Sequence, residues 1–176
     1  MGMSSPRVRE SSPRAGGIRP ATLDDARAIA AIYNPYIADT VITFEEQPVK
    51  PAEMARRIAA IVPRMPWLLM EQEGRVVGYA YASPWRARTA YRHTVETTIY
   101  LESRFAGQGM GKALYDALLQ DLRKMGLHSA IGVIALPNPA SVALHEKCGF
   151  TRVGHLVEVG WKFDHWVDVG YWQLMF

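Results

Sequence analysis

Residues 94–112, TVETTIYLESRFAGQGMGK, concentrate the side chains and spacings that could do chemistry. A strand-like run empties into a turn holding Gly107, Gly109 and Gly111, and helical apolar spacing follows. Glycine lets a backbone approach a ligand closely and adopt positive φ. Successive amide N–H groups at a helix start, reinforced by its dipole, bind anions, so the turn points to a phosphate-bearing ligand. A tight strand-to-helix turn would account for a lone glycine pair equally well. Two nucleotide motifs fail on spacing. A P-loop needs Gly at 106 and Ser or Thr at 113, where the chain has Ala106 and Ala113. A dinucleotide fingerprint opened at Gly107 or Gly109 meets Lys112 or Leu114 in place of its third glycine. On the strand, Val95, Thr97, Ile99 and Leu101 share one face and Glu96, Thr98 and Tyr100 the other. Glu96 is the odd residue; flanked by Arg92 and His93, its ordinary fate is solvation or an ion pair.

The pattern along the chain supplies a framework for these residues. A short strand at Ile18-Arg19 precedes Thr22, a suitable N-cap, and a helix with Leu23, Ala26, Ala30, Tyr33 and Ile37 at helical spacing. A second helix starts near Pro51 and carries a stripe of Met54, Ile58, Ile61 and Val62. Residues 67–71 and 75–82 read as a hairpin joined through Glu73-Gly74, and residues 94–101 as a third strand. The helix after the turn repeats apolar residues from Met110 through Ala113, Leu114, Ala117, Leu118 and Leu122 to Met125, with Gly126 as its C-cap. A strand at 129–135, a short helix from Asn138-Pro139 to Gly149, and strands at 150–158 and 167–176 complete the order βααβββαβαββ. That order predicts an α/β fold: a mixed, mostly antiparallel sheet with helices on both faces, in one domain over residues 18–176.

With 176 residues, 49% hydrophobic and 21% charged, the chain has the composition of a globular domain. Its longest apolar runs are too short to cross a bilayer. Residues 1–17, MGMSSPRVRESSPRAGG, lack the apolar centre of a signal peptide and read as a flexible leader. Arg7, Arg9 and Arg14 against Glu10 supply much of the net charge of +3, which leaves the domain near neutral and gives no reason to expect nucleic acid. A lone cysteine, Cys148, and histidines at 93, 128, 145, 155 and 165 provide no metal-ligand spacing. The expectation is a soluble, cytoplasmic protein without a built-in metal, a membrane partner or a nucleic-acid partner.

The glycine turn resembles that of the GNAT family of N-acetyltransferases, in which a Q/R-x-x-G-x-G/A turn lies on the pyrophosphate of coenzyme A. Read as Ala106-Gly107-Gln108-Gly109-Met110-Gly111, its first position is Ala; read two residues earlier, it begins at Arg104. A second block, residues 138–150, NPASVALHEKCGF, has the family's Asn-capped helix, a ring-bearing residue seven positions on, and then Gly-Phe. The segment from Trp85 through Arg86 and Arg88 to Tyr91, and the ending GWKFDHWVDVGYWQL at 160–174, are similar to the phosphinothricin and methionine sulfoximine acetyltransferases within that family. The resemblance runs from about Ile18 to Phe176 with its blocks in order.

That resemblance implies acetyl-CoA as co-substrate, held by Ile99, Tyr100, Leu101, Gly107, Gln108, Gly109, Met110, Gly111, Lys112 and Asn138. It also implies transfer of acetyl directly to the α-amine of a small amino-acid analogue such as phosphinothricin or methionine sulfoximine. An ammonium must lose a proton before it attacks, and the resemblance puts the catalytic base at Glu96. It places His145 near the thioester, able to donate to an oxyanion or thiolate; the plainer reading is a histidine satisfied by a local hydrogen bond. Arg86 and Arg88 suit a carboxylate or phosphinate, because guanidinium pairs bidentately with such anions, and Phe44 and Tyr91 would wall the pocket. Cys148 reads as packing. Two alternatives stand beside this reading: an acetyltransferase for another amine, such as an amino acid or peptide N-terminus, and a non-catalytic coenzyme A-binding module. A polyamine acceptor fits poorly with the two arginines. Finally, Trp161, Phe163, Trp166, Tyr171, Trp172 and Phe176 place six of the chain's 18 aromatics in its last 16 residues. This enrichment, with the family habit, predicts a homodimer whose interface includes part of that segment and borders the acceptor pocket.

Overall fold

The computed structural model describes residues 17–176, so the leader expected over residues 1–17 lies, but for Gly17, outside the described residues. Strands are β1 (Ile18–Pro20), β2 (Trp67–Gln72), β3 (Arg75–Pro84), β4 (Thr94–Leu101), β5 (Ser129–Leu136), β6 (Thr151–Lys162) and β7 (His165–Met175). Helices are α1 (Ala26–Asp39), α2 (Pro51–Ile61), α3 (Met110–Lys124) and α4 (Pro139–Lys147). The expected order of elements is the observed one. The strands form one sheet in the order β1-β2-β3-β4-β5-β7-β6, antiparallel everywhere except between β4 and β5.

Side-chain alternation gives each sheet face its own core. On one face Leu69 and Tyr79 meet Ile29, Ile37, Met54 and Ile58 of α1 and α2. On the other, Ala80, Val95 and Ile134 meet Leu114, Leu118 and Leu122 of α3. Each fully buried leucine of that stripe contributes roughly 1.5–3 kcal/mol. The helix ends depart from the expected stripes. Leu23 lies in a 3₁₀ turn ahead of α1 and, like Val62 and Met125, is exposed, because each sits at or past a helix terminus.

β6 also departs from expectation, running four residues beyond Glu158. A bulge between Leu156 and Gly160, with Glu158 at φ 51°, resets the alternation, and Asp168 secures it by accepting from the Glu158 N–H at 2.8 Å. Val167, Val169, Trp172 and Leu174 on β7 are buried. Val153, Val157, Val159, Trp161, Phe163 and Trp166 are exposed and make β6 and its hairpin an apolar surface.

Candidate active site

The parallel junction is short. Thr94–Thr97 of β4 pair with Ser129–Gly132 of β5, and there the register stops. Beyond it Thr98–Leu101 pair only with β3 and Val133–Leu136 only with β7. The two strands diverge into a gap whose edges carry backbone groups that neither strand satisfies, a setting for an extended ligand with amides of its own. Ile99, Tyr100 and Leu101 line one edge. The Leu101 carbonyl accepts from the Tyr36 hydroxyl at 2.5 Å, which ties α1 to the end of β4.

The glycine turn closes the end of this gap. Gly107 and Gly109 have φ of 77° and 81°, in the left-handed region, and Gly109 is the N-cap of α3. The amide N–H groups of Gly107, Gln108, Gly109, Met110, Gly111 and Lys112 have no acceptor among the described residues; the first bonded one is that of Ala113, to Gly109 O at 3.1 Å. Six consecutive donors at the start of a fifteen-residue helix form an anion cradle. Gln108 donates from its side chain to the Arg104 carbonyl at 2.8 Å, and the Lys112 ammonium pairs with Asp116 at 2.5 Å. Arg104 is paired with Glu102 at 2.9 Å and stacks on Phe105. A cavity of 360 Å³ lined by Arg75, Arg104, Phe105, Gln108 and Met110 opens beside the turn. Asn138 caps α4 by accepting from the Ser141 N–H at 3.1 Å, and its Nδ2 has no partner among the described residues.

Glu96 stands on the face shared with α1 and α2, opposite Ser83 on β3 and Ile131 on β5. It makes no ion pair among the described residues, so neither Arg92 nor His93 neutralises it. Burial raises its carboxyl above the ordinary value, and the Arg86 guanidinium pulls the other way. Arg86 lies 3.9 Å over the Trp85 ring, which meets Tyr171 of β7 edge-on at 6.0 Å. The segment carrying Arg86, Arg88 and Tyr91 is thus tied across the junction, with those three side chains exposed. Phe44, in the α1–α2 connection, packs its ring over Gly160 of β6, where any Cβ would overlap it.

The sheet separates His145 from Glu96. His145 is buried on the α3–α4 face, its ring in the space left by Gly132. Its Nδ1 lies 2.8 Å from the Ser141 carbonyl, and a carbonyl only accepts, so the proton is on Nδ1. Nε2 then accepts from the Tyr115 hydroxyl at 3.0 Å, whose oxygen accepts from Thr97 Oγ1 at 2.6 Å. Thr97 is the last residue of β4 paired with β5, at the root of the gap. Burial keeps His145 below the usual histidine range, and both of its ring nitrogens have local partners. Sequence reasoning passed over Tyr115 and Thr97. The signal was a hydroxyl-bearing Tyr115 on the buried stripe of α3, a position that demands a partner. Cys148 is half-buried and its thiol is pushed up to about 11, chiefly by burial.

A cavity of 710 Å³ between α1 and the Arg75–Glu102–Arg104 cluster includes none of the expected site residues. Among the described residues no cluster of His, Cys, Asp or Glu is placed to hold a metal ion, and no helix is long and apolar enough to cross a membrane.

A mixed sheet split between two parallel strands, with an anion cradle at the mouth of the split, defines an acyl-CoA-dependent transferase. Residues 29–150 match the profile of the acetyltransferase (GNAT) family, and the chain belongs to that family as an acetyl-CoA-dependent N-acetyltransferase. It is 44% identical over 156 residues to the phosphinothricin N-acetyltransferase of Streptomyces viridochromogenes, covering 89% of this chain and 85% of that one. It is 36% identical to the L-methionine sulfoximine/L-methionine sulfone acetyltransferase of Pseudomonas paraeruginosa, covering 89% and 92%. A crystal structure of a GNAT superfamily phosphinothricin acetyltransferase from Sinorhizobium meliloti in complex with acetyl-CoA superposes with a TM-score of 0.87 at 38% identity, covering 91% of this chain and 88% of that one.

Proposed function

We propose that this acetyltransferase acetylates the α-amine of small zwitterionic amino-acid analogues, with phosphinothricin and methionine sulfoximine as the favoured acceptors. The observation that carries the reading is Glu96: a half-buried carboxylate at the junction, free of any ion pair among the described residues, with Arg86 as its nearby cation. The relatives named for these two acceptors support the choice. The six turn amides and Lys112 hold the pyrophosphate, the edge at Ile99, Tyr100 and Leu101 takes the pantetheine amides, and Asn138 offers its Nδ2. Arg86 and Arg88 engage the acceptor's acid groups between Phe44 and Tyr91.

Glu96, directly or through water, takes a proton from the acceptor ammonium. The amine nitrogen attacks the thioester carbonyl, and the tetrahedral intermediate expels coenzyme A as a thiolate, which takes up the second proton that the nitrogen sheds as the amide forms. His145 accepts from the Tyr115 hydroxyl, which accepts from Thr97 at the root of the gap, and so orients those hydroxyls. Residues 18–176 work as one catalytic domain in the cytoplasm, paired with a second copy through the exposed apolar face of β6 and the β6–β7 hairpin. The test is thiol release from acetyl-CoA with a panel of amino acids, phosphinothricin, methionine sulfoximine and peptide N-termini. Turnover is expected with the two analogues. Binding of acetyl-CoA without turnover on any acceptor would reject the enzyme reading in favour of a coenzyme A-binding module.

A further inference from the structure

Lys162 is the only lysine or arginine buried among the described residues, at 3% exposure. Its ammonium donates to the Thr43 carbonyl at 2.8 Å and has no carboxylate within ion-pair distance among the described residues. The nearest acids do not serve: Glu45 is already held by both Nη atoms of Arg57, at 2.6 and 3.0 Å, and Glu46 is exposed. Burial pushes the Lys162 amine below lysine's ordinary range. A charge kept out of water by one carbonyl and the Phe163 ring, 5.0 Å from the ammonium, is a costly way to fill space, since an apolar chain of similar length would serve packing better.

The contact itself supplies a reason for the charge. Residues 40–50 join α1 to α2 without regular structure, and the segment is fastened by side chains. Asn34 bonds both backbone groups of Val49 at 2.9 and 3.1 Å, the Tyr33 hydroxyl meets Thr43 Oγ1 at 2.6 Å, and Arg57 holds Glu45. All of those tethers come from α1 and α2. Lys162 alone, 119 residues away in sequence, bonds the segment to the half of the sheet beyond the β4–β5 junction. Two residues earlier on β6, Gly160 provides the bare surface on which the Phe44 ring rests.

We infer that Lys162 is a positioning residue, which with Gly160 clamps residues 40–46 across the gap and thereby sets Phe44 as a wall of the acceptor pocket. The inference rests on the proposed role of Phe44 in acceptor binding. It is tested in the full chain with Lys162→Met, Phe44→Ala and the double variant. Lys162→Met is expected to raise KM for phosphinothricin about tenfold, the effect of losing one charge-assisted hydrogen bond. KM for acetyl-CoA and kcat should stay within about twofold, and circular dichroism should stay native. The double variant should be no worse than Phe44→Ala alone, because both changes remove the same wall. Equal shifts in both KM values, or additive losses, would overturn it. Hydrogen exchange gives a readout that needs no turnover: Lys162→Met should speed exchange in peptide 40–50 about tenfold and leave β5 unchanged. Unaltered exchange there removes the clamp whatever the enzyme's acceptor. A native protein that fails to release thiol, yet loosens at 40–50 in the variant, would count against the proposed acceptors and not against the clamp.

Discussion

Desolvation makes Glu96 a stronger base than a surface carboxylate, and Arg86 limits that gain. Only the ionised form can take a proton, so activity falls as pH drops through a raised pKa. The kcat/KM profile is therefore expected to show an acid limb above the usual carboxylate range. Arg86→Gln removes the opposing charge and should move that limb to higher pH; a limb that stays in place would separate Arg86 from Glu96. Glu96→Gln should abolish the limb and lower turnover by about 10²–10⁴, the range for a positioned acid–base group, with acetyl-CoA affinity by calorimetry unchanged. Glu96 was legible in the sequence as a carboxylate out of place on an apolar strand. Its missing counterion was not, since Arg92 and His93 adjoin it in sequence while Arg86 approaches it through the fold. Lys162 was illegible for a related reason. Its partner is a backbone carbonyl 119 residues away, and a carbonyl leaves no mark on residue type.

Between β4 and β5 the decisive elements are small residues. Gly132 leaves room for the His145 ring, which a methyl group would displace from Tyr115. Gly132→Ala should cost roughly 1–3 kcal/mol in urea unfolding, as overpacking of a filled core does. Gly154→Ala on β6 is the control: a Cβ there meets Tyr171 at an ordinary 3.6 Å, so the change should stay within about 0.5 kcal/mol. Equal losses at the two positions would show that His145 yields freely. The order of all eleven strands and helices could be read from periodicity, caps and glycines, because those signals are local. Ends were harder. Helical spacing continues for one to three residues past a terminus, which misplaced Leu23, Val62 and Met125, and the bulge at Glu158 hid the last third of β6. The sequence led to a mixed sheet but did not say which strands run parallel, since pairing is settled by partners that alternation does not name.

At the scale of the whole molecule, the edge strand β6 and the hairpin that joins it to β7 hold apolar side chains in water, Val157 on β6 at 73% exposure and Trp166 at the start of β7 at 57%. Such an edge invites pairing unless it is covered. Sedimentation at micromolar concentration should give a species near twice the 19.7 kDa of one chain, and Val157→Lys with Trp166→Glu should return it to one chain while circular dichroism stays native. A native protein that sediments as a single chain would remove the dimer at that concentration. The aromatic-rich ending pointed to this face only in part: Trp172 went inward, and the exposed set begins earlier, at Val153. The junction at the centre of the sheet has a consequence of another kind. If Thr98–Leu101 zipped onto Val133–Leu136, the sheet would gain backbone hydrogen bonds and lose its cleft. The open strands leave those backbone groups unpaired, and mutations that closed the line would remove the cleft. A pantetheine chain laid in the cleft as proposed would supply the missing bonds, so that the loaded enzyme and not the empty one would be the finished sheet.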